Sequence, residues 1–138
     1  PMYGKTFSTL GKKLDPISQD SCAFYERTAL FADYDGVANG PDEGINIAKA
    51  LGEKDFVILQ NHGILTTGTM VDTTIWYFLN MEDACKSQLL AEAVGKPIII
   101  PHETACATRD YVANDLSAYV SFQPTVDVLW EEEPDLLD

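Results

Sequence analysis

Residues 56–68 read Phe-Val-Ile-Leu-Gln-Asn-His-Gly-Ile-Leu-Thr-Thr-Gly, and the fold is decided by how that run is read. Phe56 to Leu59 are four consecutive apolar residues between Lys54-Asp55 and the polar group Gln60-Asn61-His62-Gly63. A run that short, with no polar alternation and with turn formers after it, is the pattern of a strand buried on both faces. Ile64 to Thr67 then predict a second short strand leaving the turn, ended by Gly68.

Upstream, Pro41 stands just inside the start of a helix, Ile45, Ala48 and Leu51 recur at i, i+3 and i+6, and Gly52 follows as its stop. Downstream, the spacing predicts a long helix from about Met70 to Ala93. Thr69 and Asp72 suggest a capping pair, Val71, Ile75, Phe78, Leu79, Cys85 and Leu89 an apolar stripe, and Gly95 and Pro97 a stop. Trp76, Tyr77 and Phe78 run around that helix, so it is expected to be covered, and these three are the candidate oligomer contacts.

Further out the signals weaken. The first twenty residues, with Gly4, Gly11 and Asp15-Pro16, read as a connection, and Cys22 to Phe31 as a strand. Tyr34 to Asp42 has turn chemistry throughout, and Glu103 to about Asn114 predicts a second helix. From Tyr119 the residues are strand-like but interrupted by Pro124, which predicts an edge strand or an irregular arm. Residues 1–127 are read as one domain and 128–138 as an acidic tail. The elements together define a layered α/β fold with a mixed sheet.

Composition narrows the function. With 9 Lys+Arg against 22 Asp+Glu the net charge is -13, a surface that repels nucleic-acid phosphates and anionic membranes. No apolar run approaches the roughly 20 residues of a membrane span, and no signal or transit pattern is seen. The expected location is cytoplasmic. Cys22, Cys85 and Cys106 form no C-x-x-C pair, which excludes a zinc knuckle and predicts reduced, mostly buried thiols. There is no phosphate-binding glycine loop and no nucleophile elbow.

The two histidines differ in setting. His62 lies on the turn leaving a buried strand, flanked by Asn61 and Gly63, where a side chain is both held and accessible. An imidazole there can ligate a metal, move a proton, or simply bond a backbone carbonyl and fix the turn. His102, beside Glu103 at the start of the second helix, reads as a surface or capping residue.

Three stretches carry a family resemblance: 1–25 (PMYGKTFSTLGKKLDPISQDSCAFY), 40–72 (GPDEGINIAKALGEKDFVILQNHGILTTGTMVD) and 75–95 (IWYFLNMEDACKSQLLAEAVG). Together they resemble the second half of the class II aldolase/adducin head domain. The resemblance implies a partial α/β/α sandwich, a homo-oligomer, and a divalent metal, typically zinc, that polarises the carbonyl of a small substrate. It makes His62 the match to a metal ligand in the Asn-His-Gly turn. The family's two other histidine ligands form an H-x-H pair just upstream of the stretch resembling Pro1 to Gly4, so one imidazole is an incomplete set. The sequence therefore predicts a truncated aldolase/adducin-like protein that lacks classical zinc aldolase activity alone and acts as an oligomeric or binding module. The alternatives are a metal-dependent lyase or epimerase completed by an N-terminal half, and a repurposed metal-independent small enzyme. The catalytic residues are unassigned.

Overall fold

The structure is a computed structural model that describes residues 1–33 and 41–137, with 41, 136 and 137 as backbone only. The turn expected over Tyr34–Asp42 lies mostly outside the described residues. In chain order the elements are α1 (Met2–Ser8), β1 (Thr28–Phe31), α2 (Pro41–Leu51), β2 (Phe56–Leu59), β3 (Gly63–Thr66), α3 (Val71–Val94), α4 (His102–Val112) and α5 (Asp115–Glu132). Short 3₁₀ turns span Ser21–Phe24 and Pro134–Leu137.

The sheet has the order β1-β2-β3, with β1 parallel and β3 antiparallel to β2. The central strand is therefore the apolar run read first, and its four side chains are all buried. Phe56 and Ile58 point with Ile64 into a core shared with Phe7 of α1 and Tyr77, Met81 and Cys85 of α3. Val57 and Leu59 point the other way, with Ala29 and Phe31, against Ile47, Ala50 and Leu51 of α2. This is an α/β/α arrangement, and burying each large side chain stabilises it by roughly 1.5–3 kcal/mol.

Several elements differ from the sequence reading. The opening residues are not a simple connection: Met2–Ser8 is a helix whose Phe7 is fully buried. The loop after it is tied to α3 by Gln88, which is itself fully buried. Its amide accepts from the backbone N–H of Asp15 at 2.9 Å and donates to the Asp15 carboxylate at 2.7 Å and to Glu92 at 2.8 Å. Cys22 to Phe31 is a 3₁₀ turn followed by a strand of only four residues. Both amphipathic helices exist, but each buries a face rotated from the expected one. On α2, Ile45 is half exposed while Ile47 and Ala50 pack inward. On α3, Val71, Ile75 and Leu79 are exposed while Thr73, Tyr77, Met81, Ala84 and Cys85 are buried. The expected capping pair does not form: Met70 is the N-cap, without a side-chain hydrogen bond.

The largest departure is α5. The predicted edge strand around Pro124 is a helix that begins with Asn114 accepting the backbone N–H of Ser117 at 2.9 Å and runs to Glu132, through the 127/128 boundary. A proline inside a helix costs about 3 kcal/mol through its missing N–H and its ring. Pro124 is exposed, whereas Ala118 and Phe122 are buried, and Ala118 belongs to the core that contains α3. Packing outweighs local preference here.

At the N-terminus, α1 lies so close to α3 and β3 that a Cβ on Gly4 would stand 2.9 Å from a Glu82 carboxylate oxygen and 3.0 Å from the Ile64 side chain. Gly4→Ala is expected to destabilise the chain by about 1–3 kcal/mol, read as a lower urea midpoint at unchanged m-value. A midpoint equal to wild type would show that α1 can retreat freely.

Candidate functional site

His62 stands where the sequence suggested, on a three-residue turn, Gln60–His62, between the central strand and β3. The Gln60 N–H donates to the Phe31 carbonyl at 2.9 Å and prolongs the parallel pairing, and the His62 N–H returns to the Leu59 carbonyl at 3.0 Å. Between them Asn61 adopts a left-handed conformation (φ 59°), which asparagine tolerates better than most residues. Its N–H donates to the Ser8 carbonyl at 3.3 Å, so the turn leans on the C-terminal end of α1.

The His62 side chain is exposed, and its ring makes no hydrogen bond among the described residues. The turn is held by backbone bonds and by Asn61, so the imidazole is not needed to fix it. Nor does it belong to a three-ligand group: the one described group of three His, Cys or carboxylate side chains close enough for a metal does not include it. A catalytic zinc site takes three protein ligands and an open position, so the residues gathered here do not by themselves fit that metal.

The cluster that does form was not assembled by sequence reasoning. On α4, His102 and Cys106 are one turn apart on the same face, with both imidazole nitrogens 3.8–3.9 Å from the Cys106 sulfur. Glu26, between the 3₁₀ turn and β1, brings one carboxylate oxygen to 3.7 Å from that sulfur and the other to 3.9 Å from His102 Nδ1. The Tyr25 hydroxyl lies 3.0 Å from Nδ1, with its ring edge-on to the imidazole. Arg109 reaches Glu26 at 3.3 Å and Asp110 at 2.8 Å. His102 is on the surface, as expected, but it does not cap the helix, whose start carries no side-chain cap bond. The His-x-x-x-Cys spacing was visible in the sequence, whereas its pairing with a glutamate 76 positions before His102 was not.

Beneath this region Arg27 is held between layers. It bonds the Asp55 carboxylate at 2.7 Å and the Ala113 carbonyl at 3.1 Å, and its guanidinium lies over the Phe56 and Tyr77 rings at 5.1 and 5.4 Å. Burial works against the Arg27 charge, but the Asp55 carboxylate and the Tyr77 phenol together outweigh it and the pKa rises. Burial also pushes the Tyr77 phenol up. Tyr77, proposed from the sequence as an oligomer contact, is 3% exposed and belongs to the chain's own core, while Trp76 and Phe78 are half-buried beside it.

The comparisons with known proteins agree with this architecture. Residues 1–89 match the Class II Aldolase and Adducin N-terminal domain, and the chain belongs to that family. It is 38% identical to Decarboxylase NovR of Streptomyces niveus over 98% of its own length and 50% of that protein. It is 36% identical to alpha-adducin of Rattus norvegicus over 67% of its length and 13% of that protein. Among solved structures it is similar to an L-fuculose 1-phosphate aldolase from Glaciozyma antarctica, with TM-score 0.84 and 39% identity, covering 96% of this chain and 50% of that one. The chain thus spans about half the length of the first of these relatives.

The thiols test the site's exposure. Burial raises Cys22 and pushes Cys85 up to about 12, and both side chains are enclosed, whereas Cys106 is partly exposed. At pH 8 a thiol reagent should label one cysteine of the native chain quickly and the other two only on unfolding. Peptide mapping should place the fast label on Cys106. A fast label on Cys85 would contradict the packing of α3.

Proposed function

We propose that this chain carries one ligand, His62, of a class II aldolase-type divalent-metal centre, zinc in the first instance, whose other ligands lie outside residues 1–138. Alone it is an oligomeric or binding module without classical zinc aldolase activity. Completed, it serves a lyase acting on a carbon–carbon bond beside the carbonyl of a small substrate. The observation that carries this reading is the exposed, unengaged imidazole at the exit of the central strand, outside the one three-ligand group among the described residues. The similarity to proteins described as a decarboxylase and as an aldolase supports the bond class, since both names describe cleavage of a carbon–carbon bond. The residues present do not complete the site of that metal. No helix among the described residues is long and apolar enough to cross a membrane, and the free thiols suit a cytoplasmic setting.

The test is a chimera in which this chain follows the part of the Glaciozyma antarctica aldolase that it does not cover. The chimera should hold one more equivalent of zinc than the isolated chain, and His62→Ala should remove that equivalent. Cleavage of L-fuculose 1-phosphate by the chimera should fall by roughly a hundredfold or more with it. Zinc content unchanged by His62→Ala in the chimera would overturn the assignment.

The binding-module side of the proposal rests on surface chemistry. Ile75 and Leu79 are 41% and 47% exposed on one face of α3, next to half-buried Trp76 and Phe78, and β1 and β3 each have a single neighbour in the described sheet. We assign self-association to that face. Sedimentation should give a mass above the 15.2 kDa of one chain, and Leu79→Asp should return it to the monomer. A wild-type chain that is monomeric at all accessible concentrations would remove the oligomer from the account.

A further inference from the structure

The cluster on α4 is separate from His62 and has the composition of a metal site in its own right. We infer that Glu26, His102 and Cys106 bind a divalent cation of borderline softness, zinc being the best match, in a site with three protein ligands and one open position.

The donor set comes first. Thiolate, imidazole and carboxylate together suit zinc, whereas magnesium and calcium call for oxygen alone. Geometry comes second. With zinc–sulfur near 2.3 Å and zinc–nitrogen near 2.0–2.1 Å at tetrahedral angles, the two donors stand roughly 3.5 Å apart. The sulfur lies 3.8 Å from His102 Nε2 and 3.7 Å from a Glu26 oxygen, so closure requires only a few tenths of an ångström at side chains on the surface. The three donor atoms all lie within 4.8 Å of one another.

The surroundings provide the orienting contacts such a site needs. Tyr25 lies 3.0 Å from His102 Nδ1, so with Nε2 on the cation the phenol oxygen is placed to accept from Nδ1–H. Glu26 is held in a left-handed conformation (φ 59°) while Lys54 donates to its carbonyl at 2.6 Å. Arg109 shares its charge between Glu26 and Asp110, and Asp110 can keep it when a cation takes the glutamate. On binding, the Cys106 thiol releases its proton to solvent and its sulfur becomes the anionic ligand. The site would staple α4 to the turn before β1, adding to the Tyr25–His102 and Arg109–Glu26 contacts that already join the two segments. The net charge of -13 draws cations toward it.

Cobalt(II) in place of zinc gives the test on the full chain, because a thiolate ligand adds a charge-transfer absorption in the near ultraviolet. One equivalent of cobalt should produce that band and zinc should displace it. Cys106→Ser should abolish the band, and His102→Ala and Glu26→Gln should weaken cobalt binding. Tyr25→Phe should keep the band but weaken binding about tenfold, as loss of an orienting partner does. His62→Ala should change none of this, which separates the site from the centre proposed above. Circular dichroism will show the variants folded, as expected for surface positions. No band at stoichiometric cobalt, a band that survives Cys106→Ser, or one lost in His62→Ala would each overturn the inference.

Discussion

A single carboxylate holds the two ends of the family-matched region together. Glu82, in the middle of α3, accepts the backbone N–H of Tyr3 at 2.7 Å and of Gly4 at 2.6 Å. These are first-turn donors with no partner inside α1, and an anion beside them also meets the positive end of the short helix. The contact works because residue 4 is glycine and lets the backbone approach. Everything that follows from the position of α1 depends on this junction. Phe7 is driven into the core beside Met81, and the Ser8 carbonyl is placed where Asn61 can donate to it. The turn that presents His62 is therefore fastened to α3 through α1, about twenty residues before the place in α3 where the fastening is made.

The same helix carries a second fastening one and a half turns further on. Gln88 has no exposed surface, yet its amide is fully engaged by Asp15 and Glu92. A buried amide without partners would cost a few kcal/mol, so the loop after α1 is obliged to return to this point. Lys12 bonds Glu92 alongside it, and that bond and the Gln88 amide hold the Glu92 carboxyl below its ordinary range. The folded-state pKa is depressed, so this contribution is present above the unfolded carboxylate range and is lost as pH falls through it. The polar contacts of α3 thus position the N-terminal segment, while its apolar face, centred on Tyr77, Met81 and Cys85, covers the sheet.

How much of this was legible depended on whether neighbours in sequence were also neighbours in space. The central strand, the turn, β3 and the lengths of α2 and α3 follow from local pattern, because runs, breakers and glycines act within a few residues. The buried faces of α2 and α3 do not, since both helices carry apolar residues on more than one side and only the sheet decides which side is covered. Ile45 and Ile47 are equally apolar, and β1 and β2 select the second. Pro124 misled for the opposite reason: its local cost is real, and contacts far along the chain outweigh it. Residues 1–8 lacked any long apolar period, and one phenylalanine with one glycine was enough to dock them. At the site, the special setting of His62 was readable from a strand followed by Asn-His-Gly. The company of His102 was not, because Glu26 and Tyr25 reach it across the fold.

These two histidines describe a division of labour within the fold. His62 is supported by the central strand, paired on both sides and buried on both faces, and its ring is exposed. His102 sits on a helix at the periphery and is surrounded by donors. If one metal served both, the elements between them would have to bring the imidazoles together, and the described structure keeps His62 out of the three-donor group. Placement at the end of a fully paired strand suits a position completed by other polypeptide, as proposed above, where accurate placement is needed before the partner arrives. Ligands on a peripheral helix suit a site whose binding energy secures the element that carries them. On the function proposed above, the family's chemistry goes with the first histidine, and the second, on the site inferred above, answers a different need, the attachment of α4 to the 3₁₀ turn it packs against.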